Sequence, residues 1–269
     1  MLFRSVLYIA QPKEKVSTTN TDILTTFFNY YQIGLPRTKK AVAYVQHRSI
    51  DYKKIAVAYN SGGLHVESKH HHLVNDLIQA GLLKQLPVQG HSVWAKDCII
   101  FPLKNVDNKI ISLYGRSITN NENSKHFYLT NRTGLYPNYP NQATTKLILT
   151  ESIIDAASLL QISILTTNYS ILALYGTNGL TDEHQQAIIN LPHLEEIILM
   201  LNADDAGIAA TVKHYHTLQN LLPNVKITTV ALPCKDVNET LQAHDETIFT
   251  VLLNERQPVN FLFSIENKK

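Results

Sequence analysis

From Lys146 onward, short apolar runs alternate with longer amphipathic ones, and this alternation limits the fold more than any single motif. KLILTE (146–151), SILALYG (170–176), EEIILML (195–201) and KITTVALP (226–233) have the length and apolar content of strands. Between and after them, SIIDAASLLQ, TDEHQQAIINL, AGIAATVKHYHTLQNLL (206–222) and VNETLQAHDETIFTVLLNER read as helices. Strands alternating with helices of this length predict βαβ units, hence a mostly parallel sheet covered on both faces. In such a sheet ligands bind outside the carboxyl ends of the strands.

Three polar clusters fall at those ends. Glu151 follows LILT, Asn202-Ala203-Asp204-Asp205-Ala206-Gly207 follows IILML, and Lys235-Asp236-Val237-Asn238-Glu239 follows TTVALPC. Neighbouring parallel strands bring such residues side by side, where their oxygens suit Mg²⁺, a hard cation usually held by one or two carboxylates plus substrate phosphate. Taken singly, each acid has a plainer explanation: Glu151 favours a helix start, and Asp204 and Asp205 suit the cap and first turn of the next helix.

Charge divides along the chain in the same sense. Residues 1–145 carry 17 Lys and Arg against 8 Asp and Glu, a net of +9; residues 146–269 carry 7 against 14, a net of −7, and the two restore the overall +2. One half is thus suited to attract a polyanion and the other to concentrate carboxylates. Cys98 and Cys234 form no C-x-x-C pair, so neither a zinc ribbon nor a disulfide framework is expected. No apolar run reaches about 18 residues and the N-terminus lacks the flanks of a cleaved signal, so the expectation is a cytoplasmic protein without a membrane partner.

The basic half is less regular. Residues 11–22 are polar and expected to be mobile, DILTTFFNYYQIGL is expected to dock as a helix through Phe27, Phe28, Tyr30 and Tyr31, and a further helix is expected near His72–Leu83. CIIFPLKNVDNKIISLYGRSI (98–118) reads as two strands about the turn NVDNK, with KHFYLT (125–130) as a third. The Pro-containing stretch 133–145 is the expected boundary, giving an extension at 1–40, a basic α+β subdomain at 41–145 and the α/β domain at 146–269. The run Lys69-His70-His71-His72 is a weak metal motif, because successive helical residues diverge and no cysteines accompany them.

Glu151, the D-x-D-like NADDAG and the later KDVNE together resemble the Toprim domain of bacterial-type primases and topoisomerases. IIFPLKNVDNKIISLYGR followed by SKHFYLT is similar to the primase core in which a Phe-Pro-Ile strand, a polar turn and a Gly-Arg end precede a Lys-Tyr-Leu-Asn segment. QAGLLK (79–84) and AVAYVQHRSI (41–50) match that core loosely, so the resemblance covers residues 41–255, and its KDVNE element is similar to primases of phage and mobile-element type.

The resemblance implies a Toprim-type sheet preceded by a primase-core subdomain, and an enzyme that joins nucleotides into short RNA primers on single-stranded DNA. It implies Glu151, Asp204 and Asp236 as catalytic acids, with Asn202 and Asp205 completing an Mg²⁺ (or Mn²⁺) site, and Arg116, Lys125 and Lys235 as contacts to nucleotide or template phosphates. Arg grips phosphate bidentately and Lys offers a compact charge, which agrees with those roles. The chain departs from the family at Asn202, where an Asp is usual, and at Asn238, where many cellular primases have a second Asp. It has neither a zinc-binding module before the core nor a Walker A motif, so any zinc module or helicase is expected on a separate partner. The alternatives are a Toprim nuclease and a nucleic-acid-binding protein with a weakened metal site.

Overall fold

The computed structural model describes residues 20–64, 71–119, 125–130 and 132–259, so Lys69, His70 and most of the polar segment 11–22 lie outside the described residues. Two compact units emerge, one within Met1–Tyr44 and Ala56–Gly134, the other within Val45–Ile55 and Leu135–Lys269.

In the first unit the helices are α1 (Asn20–Gly34), the short 3₁₀ turn Leu35–Arg37, α2 (Lys39–His47), which runs on past Tyr44, and α3 (His71–Gln79). Residues 20–22, expected to be mobile, form the first turn of α1. Ile23, Leu24, Phe27, Phe28 and Tyr31 line the buried face of α1, the spacing that turns one helical stripe inward. They pack over an antiparallel sheet of order β1-β4-β5-β6, built from β1 (Ala58–Asn60), β4 (Cys98–Lys104), β5 (Ile110–Ser117) and β6 (His126–Tyr128). The expected NVDNK turn joins β4 to β5: Asn105 Oδ1 accepts from Lys109 N (2.9 Å), and Asn108 takes the left-handed conformation that Asn tolerates. A small hairpin, β2 (Leu83–Gln85) with β3 (His91–Val93), has no counterpart in the expected elements, because three-residue strands carry too little periodicity to read.

The second unit carries the expected sheet. Its strands are β7 (Lys146–Thr150), β8 (Ser170–Ala173), β9 (Glu196–Met200), β10 (Lys226–Thr229) and β11 (Gln257–Pro258), in the order β11-β10-β9-β7-β8. All neighbours are parallel except β11, which pairs antiparallel with β10 at the edge. Every residue of β9 is buried, as a central strand covered on both faces requires. The helices are α4 (Ile153–Leu160), α5 (Ser163–Asn168), α6 (Asp182–Ile189), α7 (Asp205–Leu221), α8 (Val237–Ala243) and α9 (Ile248–Asn254). The last two replace the single helix read from 237 to 256. Asp245 Oδ1 accepts from Thr247 N (2.8 Å) and from the Thr247 hydroxyl, so its side chain captures the backbone bonding that a continuous helix would need.

No helix among the described residues is long and apolar enough to cross a membrane.

Candidate functional site

The strand order sets the acids side by side. β10, β9 and β7 are consecutive neighbours, and their carboxyl ends lead to Asp236, Asn202–Asp205 and Glu151 respectively. Glu151 is the first residue beyond β7 and half-buried. Asn202 donates to it twice, from Nδ2 to Oε1 (3.1 Å) and from its backbone N–H to Oε2 (3.4 Å). Burial lifts the Glu151 carboxyl above the usual carboxylate range; the backbone bond from Asn202 opposes the lift, and the charges of Asp204 and Asp236 add to it.

Asp204 caps α7, accepting on Oδ1 from Gly207 N (2.9 Å). Gly207 is required by close approach rather than by turn geometry, since a Cβ there would lie 2.1 Å from the Asn202 carbonyl oxygen. The Ala-Gly of NADDAG thus lets α7 start directly against the residue that bonds Glu151. Asp205, the first residue of α7, is exposed. Lys235 Nζ stands 3.9 Å from Asp204 Oδ2, and the Lys235 carbonyl accepts from Ala203 N (2.8 Å), which ties the 202–205 and 235–236 loops together.

Asp236 caps α8 in the same manner, accepting from Glu239 N on Oδ1 (2.7 Å). Asn238 behaves differently. It is buried, and its Nδ2 donates to Arg48 O (2.7 Å) and Ser158 Oγ (2.8 Å) while its Oδ1 accepts from Arg48 Nη1 (3.2 Å) and Gln242 Nε2 (2.8 Å). With both amide protons and the amide oxygen engaged, it fastens the loop and is not available to a ligand.

Asp155 belongs to the same neighbourhood and escaped the sequence reading. It is fully buried, accepts from Asn238 N (3.1 Å) and Ser152 Oγ (2.6 Å), and has its carboxyl pushed up to about 7 by burial and then by the charge of Asp236. Its signal was legible as the capping pair Ser152-x-x-Asp155, in which Ser152 Oγ also accepts from Asp155 N (3.2 Å).

The donor set therefore fits a hard divalent cation in kind. The fit lies in oxygen donors throughout and in the crowding of negative charge: Asp204 and Asp236 act on Glu151, with Lys235 opposing, and Asp236 and Glu151 act on Asp155. It does not form a closed cage: among the described residues no three Asp, Glu, His or Cys side chains stand near enough to hold a metal ion. Asn202, an expected ligand, donates from its amide nitrogen to Glu151; a cation would meet its amide oxygen.

Arg116 and Lys125 occupy the first unit. Arg116 pairs across the ladder with His126, and its Nη1 lies 2.8 Å from His126 Nε2; His126 Nδ1 lies 2.9 Å from the Tyr114 hydroxyl. Tyr114 and Tyr128 rings sit 5.0 Å apart, and the Arg132 guanidinium lies 4.0 Å over the Tyr128 ring. These side chains share one face because strand residues alternate. Lys125 precedes His126 and its carbonyl accepts from Ser117 N (3.0 Å), which puts its side chain on the opposite face from Arg116. Gly115, between Tyr114 and Arg116, keeps that other face flat: a Cβ would meet Ala95 Cβ at 2.9 Å. His126 and Arg132 were not singled out from sequence, although register-paired alternation about Arg116 would have found His126.

Residues 148–241 match the model of a family described as Toprim-like. No curated protein matches the chain significantly in sequence. Among solved structures, a DNA primase domain from Pseudomonas aeruginosa aligns with a TM-score of 0.71 at 19% identity, over 91% of this chain and 81% of that one. The Escherichia coli primase catalytic core aligns with a TM-score of 0.72 at 21% identity, over 91% and 83%. A DnaG primase catalytic domain bound to single-stranded DNA aligns with a TM-score of 0.69 at 20% identity, over 91% and 81%. The chain is an α/β protein with a Toprim-like region and the fold of a bacterial primase catalytic core.

Proposed function

From that fold and its strand-end acids, we propose that the protein is a primase-type nucleotidyltransferase that joins ribonucleotides into short primers on single-stranded DNA. The observation that carries the reading is the convergence of Glu151, Asn202–Asp205 and Asp236 at the ends of three adjacent parallel strands, within a fold that primase cores share. Glu151, Asp204 and Asp236 would hold Mg²⁺ or Mn²⁺, which supplies activation of the attacking 3′-hydroxyl and stabilisation of the pyrophosphate leaving group.

The chain's own residues do the remainder. Glu151 has a carboxyl raised by burial, and Asn202 fixes its orientation through two hydrogen bonds, as a group that passes a proton in the reaction would need. Asp204 and Asp236 are immobilised by their caps, so their second oxygens are preorganised and cost little ordering on binding. Lys235, beside Asp204, is placed to meet negative charge on a triphosphate. Arg116 contacts template or nucleotide phosphate, and Lys125, on the other face of its ladder, contributes general attraction for a polyanion.

Incubation with single-stranded DNA, Mg²⁺ or Mn²⁺ and labelled ribonucleoside triphosphates tests this. Labelled oligonucleotides that disappear with Glu151→Gln and Asp204→Asn are the expected result, and no product under any condition overturns it. The bond from the Asn202 amide to Glu151 favours one alternative, a nucleic-acid-binding protein with a weakened metal site, which would bind the DNA and yield no product. Shortened template lost in the same variants would point to a nuclease.

A further inference from the structure

Arg116 does not stand free beside β6. Its Nη1 approaches His126 Nε2 at 2.8 Å, and an arginine side chain has five N–H donors and no acceptor, so Nε2 must present its lone pair. The ring is then neutral with its proton on Nδ1, which leaves Nδ1 to donate to the Tyr114 hydroxyl at 2.9 Å. The chain of contacts Arg116–His126–Tyr114 thus has one consistent direction, and it ends in a buried tyrosine.

The groups acting on the ring agree with that assignment. From β5 come Arg116 and Tyr114, from the flanks of β6 Lys125 and Arg132; Tyr128 lies against the Tyr114 ring, and Tyr44 of α2 acts on Arg116, as Tyr114 does. None is a carboxylate. Burial, then the charges of Arg116, Lys125 and Arg132, hold His126 below its ordinary 6.5.

We propose that His126 is a positioning residue for Arg116, a neutral acceptor that engages one guanidinium nitrogen and, together with Tyr44 and Tyr114 on the same guanidinium, sets the direction in which it meets a phosphate of single-stranded nucleic acid. A long, partly exposed arginine side chain samples several rotamers, and fixing it beforehand removes that ordering cost from binding. A carboxylate in the same place would fix Arg116 too, but would cancel its charge toward phosphate. A neutral imidazole fixes it and leaves the charge intact. The inference rests on the role proposed above for Arg116 as a phosphate contact.

The test measures binding of fluorescein-labelled oligothymidylate to the full chain by anisotropy, without added metal, for wild type, Arg116→Ala, His126→Phe, His126→Gln and the double variant Arg116→Ala/His126→Phe. Gln places an acceptor oxygen near the position of Nε2 and cannot titrate. His126→Phe is expected to lose about tenfold in affinity, the scale of one hydrogen bond to a charged group, and His126→Gln to stay within about twofold of wild type. The double variant is expected to match Arg116→Ala, because His126 acts through Arg116.

An NMR titration supplies a readout that simple packing would not move: the His126 pKa should rise toward the ordinary value in Arg116→Ala. Wild-type affinity in His126→Phe beside a loss in Arg116→Ala overturns the positioning role. A double variant weaker than Arg116→Ala also overturns it, by showing that His126 contacts the nucleic acid itself. Wild-type affinity in Arg116→Ala instead removes the phosphate contact on which the inference rests. Should His126→Phe fail to fold, His126→Gln and the titration of Arg116→Ala still decide the matter, since an unshifted His126 pKa there contradicts the contact.

Discussion

The amide of Asn202 donates to Glu151 Oε1, so one oxygen of that carboxylate is engaged by a neutral donor where an aspartate at 202 would add a second negative oxygen for a cation. Asn238 has the same side chain and a different situation: it is buried, and its amide groups are bonded to Arg48, Ser158 and Gln242. Sequence alone treats both as places where charge is missing. Their hydrogen bonds separate them, and one pair of variants checks the distinction. Asn202→Asp should bind Mn²⁺ about tenfold more tightly by isothermal titration, because ligand charge sets affinity for hard cations. Asn238→Asp should gain nothing in Mn²⁺ affinity and lose about 1–3 kcal/mol of stability in urea denaturation, because a carboxylate would face the Arg48 carbonyl with no proton to give. Equal Mn²⁺ gains in both variants would place Asn238 in the site and contradict its assignment as a fastening.

At the scale of elements, Asp155 joins α4 to the start of α8, since its carboxylate takes the Asn238 N–H while its own N–H is taken by Ser152. Its carboxyl moves from an ordinary 3.8 to about 7 in the folded protein, so between those values the folded state holds more protons than the unfolded one. Stability contributed by this group is therefore complete below about pH 4 and declines as the pH rises to 7, by up to about 4 kcal/mol at 1.36 kcal/mol per pH unit. In metal-free buffer the denaturation midpoint should fall over that range, and Asp155→Asn should flatten the fall even if its absolute stability is lower. An unchanged slope would show that folded Asp155 does not hold its proton across that range. Elements of this unit were legible wherever a strand is covered on both faces, because β7 and β9 then become unbroken apolar runs between polar turns. What escaped was decided by single side chains or by very short segments. Asp245 takes the Thr247 N–H between α8 and α9 and so divides a segment whose periodicity continues, while β2, β3 and β11 have three residues or fewer and stand on pairing rather than pattern.

For the whole molecule, the split of +9 and −7 is readable from sequence because it needs only counting, but which charges act outward is not. Glu196 and Arg256 cancel inside the second unit through two bonds of 2.7 Å, and Lys40 and Asp97 cancel in the first at 2.6 Å. Glu151, Asp204 and Asp236 have no such arginine partner among the bonds that hold them, so they remain a source of repulsion toward any polyanion drawn to the basic residues of the same chain. Neutralising them separates this repulsion from chemistry. The triple variant Glu151→Gln, Asp204→Asn, Asp236→Asn retains its helix caps, because Asn caps as well as Asp, and so keeps its fold. Without metal it should bind single-stranded DNA severalfold more tightly than wild type at about 0.05 M salt, and the difference should shrink toward about 0.5 M, where the screening length falls to a few ångströms. It should also lose primer synthesis entirely. Affinity equal to wild type at low salt would mean that these carboxylates do not act on bound nucleic acid, and the division of charge along the chain would then have no part in its function.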